Sequence, residues 1–260
     1  VHNNIGNLLK DLGQLDGAEV SFREGLSIKP DDTDVHSNLV FLHTYRSEQS
    51  ASKLLSEAQR FGDMVARRAH PYTTWSNVRE PERRLRVGFV SGDLRAHPVG
   101  FFIDSVLAEI AFSMSDRLEL HAYPSYFCDD EVSRRIKAHC HGWHAAVGLS
   151  DRALAERVYD DRIDILVDLS GHTAHNRLPL FAWKPAPVQA TWLGYLATTG
   201  VKAIDYLIAD AWTLPQSEET QFTEKVWRLP ESYVCFTPPS NSVEVGPLPA
   251  LGAGHITFGN

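Results

Sequence analysis

The sequence predicts an α/β unit wound around a parallel sheet and preceded by α-helical repeats. Two observations predict it. The run Val1-His2-Asn3-Asn4-Ile5 recurs as Val35-His36-Ser37-Asn38-Leu39, a shift of 34 residues, and from Leu85 onward short apolar strands alternate with helical patterns. A fixed period of that size marks stacked helical hairpins, and strands alternating with helices imply a parallel sheet covered on both faces. The boundaries that follow are repeats with a closing helix over 1–70, a linker over 71–84, and the α/β unit over 85–260.

The 34-residue period is that of tetratricopeptide hairpins. In the first unit Gly6 and Ala18 let two helices approach, Leu9 and Phe22 fill the seam, and Pro30 stops the second helix because it cannot continue the hydrogen-bond ladder. The second unit departs from the pattern. His43 stands where a seam residue should be apolar, and no small-residue turn follows before Ser47-Glu48-Gln49-Ser50. A long helix from about Ala51 to Ala69, apolar at Leu54, Leu55, Ala58, Phe61 and Val65, then closes the array as a cap. Arrays of this kind need about three units, so more repeats are expected before Val1.

Composition narrows the function. The 260 residues hold 33 acidic against 25 basic side chains, a formal charge of −8, which disfavours binding to a phosphate backbone. Cys128, Cys140 and Cys235 are odd in number and scattered, which suits a reducing compartment rather than a disulfide framework. No apolar run approaches the ~20 residues that span a bilayer, and no secretory leader is visible, so a cytoplasmic protein is expected. The start on Val1, and Ile256 to Asn260 read as a buried strand entering a turn, make both ends look cut.

Proline and charge between His70 and Arg84 mark the linker. Strands are expected at Leu85–Ser91, Leu118–Tyr123, Ile163–Leu169, Val188–Leu193, Tyr206–Ile208 and Val226–Leu229, with helices near Phe101–Ile110 and Arg152–Tyr159. Ligands in such folds collect at the carboxyl ends of strands, so the loops after Ser91, Leu169 and Leu193 should share one rim. Neither a G-x-G-x-x-G run nor a Walker lysine motif follows the first strand, which weakens a dinucleotide or ATP reading. The rim instead carries His97, Ser170-Gly171-His172-Thr173, Gly194-Tyr195 and Thr198-Thr199-Gly200, neutral groups suited to a hydroxyl-rich ligand.

These residues, with Arg177-Leu178, Pro185 to Gln189, Trp192 to Tyr195 and Asp205-Tyr206, in order behind a tetratricopeptide array, resemble the family of protein O-linked N-acetylglucosamine transferase and the plant SPINDLY-like proteins. The resemblance spans nearly the whole chain. It implies an inverting glycosyltransferase of the two-lobed GT-B type, of which this chain is the repeat end and the Rossmann-like first lobe. In the family the second lobe, absent here, supplies most contacts to the uridine diphosphate, including an essential lysine. The resemblance also implies a nucleotide-sugar donor without a metal cofactor, and protein acceptors selected by the repeats. UDP-N-acetylglucosamine is the leading donor. The run Ser170 to Asn176 looks closer to the SPINDLY-like branch and keeps protein O-fucosylation from a guanosine diphosphate donor open, and a non-catalytic repeat scaffold is the alternative of another class.

Sugar transfer to a hydroxyl needs a base or positioning group, dipoles at the departing diphosphate, and an oriented cleft. His97 stands at the family's position for a histidine proposed as base, and its ordinary pKa of about 6.5 suits proton acceptance or hydrogen bonding. Thr173 falls where the family places a threonine near sugar and diphosphate. His172 and Asp168 are weaker substrate contacts, since a carboxylate ending a buried strand also caps loops, and Asp164 has a weaker claim still. Gly194 and Tyr195 are placed to pack on the donor, unless Tyr195 is a core aromatic. His139-Cys140-His141 with His144 has metal-ligand character, yet without a second cluster it reads as a loop of solvated histidines and no metal site is expected.

Overall fold

The computed structural model describes residues 1–46, 50–236, 244 and 246–258. Ser47 to Gln49, where the repeat pattern breaks off, and the expected turn at Gly259-Asn260 lie outside the described residues. Four helices come first: α1 His2–Asp11, α2 Leu15–Ile28, α3 Thr33–His43 and α4 Ala51–Ala66. Gly6 lies so close to the Phe22 ring that a Cβ there would sit 2.4 Å from it, which is why a seam aromatic fits between α1 and α2. Ala18, Phe22, Val35, Leu39 and Leu42 form the buried cluster of these helices, with Leu9 packed at its edge. Asp32 caps α3 by accepting from the Val35 amide at 3.2 Å. His43, at the departure from the pattern, is buried 3.7 Å from Glu19.

The α/β unit follows with β1 Leu85–Ser91, α5 Pro98–Ser113, β2 Leu118–Pro124, α6 Glu131–His139, β3 Gly142–Trp143, α7 Asp151–Asp160, β4 Ile165–Asp168, α8 Leu178–Phe181, β5 Val188–Thr191, β6 Tyr206–Ala209, a 3₁₀ turn Gln216–Gln221, β7 Lys225–Arg228 and α9 Pro249–Ala253. The seven strands lie in the order β3-β2-β1-β4-β5-β6-β7, and every pair is parallel. Alternation sorts their side chains between two faces. Val87, Phe89, Leu120, Ala122 and Val167 join Ile103 and Leu107 of α5 and Ile136 of α6. Val90, Tyr123 and Leu166 join Leu154 and Val158 of α7 and Phe181 of α8 on the other.

That second face has a further cover. Ala58, Phe61, Met64 and Val65 of α4, with Val40 of α3, belong to the same buried cluster. The helix expected to close a separate repeat unit is therefore part of the core of the sheet. The linker is likewise fastened rather than loose: it holds no helix or strand, but the Tyr72 ring stacks on Tyr159 at 4.1 Å and the Trp75 indole donates to the Lys184 carbonyl at 3.1 Å. Asp164, at the amino end of β4 and so opposite the rim, receives Asn77 at 2.6 Å and Arg83 at 2.7 Å. Burial would raise its pKa, but these donors and the Arg86 amide outweigh it and hold the carboxyl low.

The strand expected at Ile256 is not formed. Ile256 and Phe258 are exposed and lie in no helix or strand, because among the described residues no strand runs beside them to complete a ladder. No helix among the described residues is long and apolar enough to cross a membrane.

Candidate active site

The chain leaves β1 toward β2 but leaves β4 toward β5, so the topology switches between them, the position at which folds of this kind carry their ligand crevice. Ser91 and Ser170, both buried, meet there with hydroxyl oxygens 3.4 Å apart. Two loops border it, 92–97 after β1 and 169–177 after β4. The first is held by backbone capture: Ser91 Oγ accepts from the Asp93 amide at 2.9 Å, and Asp130 Oδ2 accepts from the Ala96 amide at 2.7 Å. Asp130 also caps α6 through the Ser133 amide at 2.7 Å. Sequence reasoning missed this brace, although an aspartate three residues before a serine at a helix start is a capping signal.

His97 ends the first loop and caps α5, its Nδ1 accepting from the Val99 amide at 3.3 Å, while Pro98 takes the first helical position where no N–H is needed. The side chain is 35% exposed, and Nδ1 also lies 3.8 Å from Asp93 Oδ1. Burial lowers its pKa and Arg95 adds to that, against the pull of Asp93, so the ring is neutral at pH 7. With Nδ1 accepting, the hydrogen-bond geometry assigns the proton to Nε2, which can then donate to an oxygen. Accepting a proton at Nε2 requires the other tautomer, which gives up the bond from Val99 and turns Nδ1–H toward the Asp93 carboxylate, 3.8 Å away and beyond hydrogen-bond distance in this arrangement.

Thr173 sits half-buried in the second loop, its hydroxyl donating to the Ser170 carbonyl at 2.8 Å, which leaves oxygen lone pairs to accept from a ligand. Beside the crevice the Tyr126 ring lies 4.7 Å from His175 and 5.1 Å from the Arg95 guanidinium. Beyond it a hollow of about 590 Å³, lined by Leu94, Phe127, Lys137 and Trp143 among others, opens at the ends of β2 and β3.

Of the four other residues expected to touch substrate, Asp168, His172 and Tyr195 are buried and Gly194 is half-buried. Asp168 has no exposed surface and accepts from Thr191 Oγ1 at 2.7 Å and from the Gly171 and Ser170 amides at 2.9 and 3.1 Å. Burial pushes its pKa up to about 6, and the carboxyl pins the second loop to β5. His172 is 1% exposed, its Nε2 3.0 Å from the Thr199 carbonyl and its ring edge-on to Phe61 at 4.7 Å. Burial pushes its pKa down to about 3. Gly194 is required by close approach, since a Cβ would lie 1.8 Å from the Leu169 carbonyl oxygen. The Tyr195 ring packs between His172 at 5.4 Å and Phe41 of α3 at 6.2 Å, its hydroxyl buried without a hydrogen-bond partner among the described residues and its pKa raised by burial.

Thr198 and Thr199 also turn inward. Glu224, just before β7, accepts from the Thr199 amide at 2.9 Å and from Thr198 Oγ1 at 2.7 Å, so these threonines close a loop and leave the rim. The histidine run is only in part a solvated loop: His139 ends α6 and His141 is exposed, meeting Arg84 at 2.7 Å, while β3 draws His144 onto the sheet edge, where it stacks on Tyr123 at 5.5 Å and meets Arg157 at 2.7 Å. Among the described residues no three His, Cys, Asp or Glu side chains are grouped to hold a metal ion.

Comparison with known proteins matches this architecture and motif order. The chain is 35% identical over 239 residues to a protein of Petunia hybrida described as a probable UDP-N-acetylglucosamine–peptide N-acetylglucosaminyltransferase SPINDLY, covering 90% of this chain and 25% of that protein. A protein of Arabidopsis thaliana with the same description is 36% identical, with 90% and 26% covered. Among solved structures, a mutant O-GlcNAc transferase of Thermobaculum terrenum matches with a TM-score of 0.88 at 34% identity, over 95% of this chain and 47% of that one. The chain thus spans about a quarter of the length of the curated relatives it matches. The profile of glycosyl transferase family 41 matches residues 36–237, from within α3 to just past β7, and the chain belongs to that family.

Proposed function

We propose that this chain is the end of a tetratricopeptide array and the first lobe of an inverting glycosyltransferase that moves N-acetylglucosamine from UDP-N-acetylglucosamine to serine and threonine hydroxyls of proteins. The observation that carries the reading is the switch in strand order between β1 and β4, with His97 and Thr173 partly exposed on the two loops that leave it, in a chain so similar along its length to an O-GlcNAc transferase. His97 positions the acceptor hydroxyl through Nε2 and, in its other tautomer, takes the hydroxyl proton. Thr173 accepts a hydrogen bond from the donor. The diphosphate is held by a second lobe and by backbone dipoles, with no metal or other cofactor, and acceptor proteins are selected along the repeats. The free thiols of Cys128, Cys140 and Cys235 suit a cytoplasmic setting.

The test incubates the protein carrying both lobes with serine- and threonine-containing peptides and, in separate arms, UDP-N-acetylglucosamine or GDP-fucose, and weighs the products by mass spectrometry. An N-acetylhexosamine adduct that forms equally in chelator supports the reading. A fucose adduct alone moves the protein to the other donor, and no adduct in either arm sinks the transferase assignment. The 260-residue chain by itself should show no turnover, because one lobe cannot form a two-lobed cleft.

A further inference from the structure

One hydroxyl of the helical part reaches directly into the second rim loop. Ser37 of α3 is 3% exposed; its Oγ lies 2.8 Å from His172 Nδ1 and 3.1 Å from Asn176 Nδ2. The Thr199 carbonyl opposite His172 Nε2 can only accept, so Nε2 carries the ring proton and Nδ1 holds a lone pair. Ser37 therefore donates to His172 and accepts from Asn176. Asn176 Nδ2 also donates to the Thr173 carbonyl at 2.9 Å, and its Oδ1 accepts from the Leu178 amide at 3.2 Å. Along the path Thr199, His172, Ser37, Asn176, Thr173 each link has one donor and one acceptor, and burial keeps the imidazole neutral as the path requires. Alanine at 37 would break two links at once and leave a buried ring nitrogen unpaired.

We propose that Ser37 is a positioning residue: through His172 and Asn176 it sets the loop 170–176, and with it Thr173, so the repeat helix α3 is part of the frame of the active site as well as of the array. The proposal rests on the transferase reading for its kinetic consequence, but its structural half stands apart from it. A loop displaced by a fraction of an ångström at a site that works by orientation loses rate rather than only affinity.

The experiment compares wild type, Ser37→Ala, Asn176→Ala and, as a buried-serine control on α2, Ser21→Ala, all in the protein with both lobes. Ser37→Ala should lower kcat about tenfold with a smaller change in donor KM, and should speed amide hydrogen exchange over 171–176 while α3 stays protected. Ser37→Thr, which keeps the hydroxyl, should restore much of the rate, and Ser21→Ala should match wild type in both readouts. Wild-type kcat and exchange in Ser37→Ala would overturn the proposal, as would an equal kinetic loss in Ser21→Ala. If Ser37→Ala does not fold, Asn176→Ala cuts the same path without touching α3, and wild-type exchange over 171–176 in that variant overturns it equally. Absence of any sugar transfer by the wild type would sink the transferase reading alone, and the exchange comparison would still decide the role of Ser37.

Discussion

Gly62 of α4 and Gly200 of the loop after β5 meet backbone to backbone: a Cβ on Gly62 would lie 1.8 Å from the Gly200 carbonyl oxygen, and one on Gly200 would lie 1.9 Å from that of Ala58. Helix and loop approach too closely for any side chain to stand between them, and Glu224 holds the same loop through Thr198 and Thr199.

Gly62→Ala tests that contact. On an open helix face the change would stabilise by about 1 kcal/mol, whereas here it should destabilise by roughly 1–3 kcal/mol as α4 is pushed off the sheet. Urea unfolding decides the sign, and a gain in stability would show that α4 stands clear of the loop.

Two buried phenylalanines separate the helical seam from the shared core. Phe22→Ala and Phe61→Ala should each cost about 3–5 kcal/mol. The first should loosen α1 and α2 while leaving the α/β unit folded; the second should lower the unfolding temperature of both together, because Phe61 lies in the buried cluster that α4 shares with the α/β unit and meets the His172 ring at 4.7 Å. Tryptophan fluorescence of the sheet and exchange in α1 read the two regions separately. Equal, global effects of both variants would contradict the seam assignment.

His97→Ala, in the protein with both lobes, should keep the fold and lose at least roughly a hundredfold in turnover. His139→Ala, outside the crevice, should be near wild type. The wild-type rate should fall as pH drops through a pKa below 6.5, since protonating Nδ1 breaks its bond from Val99 and removes the base, and should stay flat above it. His97→Gln should lack that acid limb. Undiminished turnover in His97→Ala would end the assignment.

Stability should also depend on acid through His172. Its folded pKa of about 3 lies below the ordinary 6.5 of the unfolded chain, so the unfolded state binds a proton first and stability is lost as pH falls from about 6.5 to about 3. Asp168 acts oppositely: raised to about 6, it takes up a proton in the folded state before the unfolded carboxyl does, adding stability between about 6 and 4. In His172→Phe only the second effect remains, so the acid loss of stability, followed by denaturant titration at several pH values, should shrink. An unchanged slope would mean that His172 is not held neutral.

The helices of the first part and the strands of the sheet were legible in the sequence, and the directions of individual polar side chains were not. Gly6 and Phe22 announced a seam by size and period, and the apolar runs of β1 and β4 announced buried strands. By contrast, nothing near Thr199 says that its partner is Glu224, and nothing near His172 says that its ring meets Ser37, more than a hundred residues earlier. His97 and Thr173 keep partly exposed side chains on the rim, whereas Asp168, His172 and Tyr195 share the same motifs and face inward. A motif marks where the chain must hold its shape, and much of that holding is done from beneath.

The two allegiances of α4 decide where the gene can be cut. A clone begun at the linker would remove Ala58, Phe61, Met64 and Val65 from the buried cluster they share with the α/β unit and uncover the His172 ring and the loop at Gly200 and Val201, leaving apolar surface that favours aggregation during expression. A clone begun at Pro30 keeps the Asp32 cap, the Ser37 hydroxyl and the whole of α4. The smallest soluble cassette of this lobe is therefore one helical hairpin longer than its strands and crossover helices require.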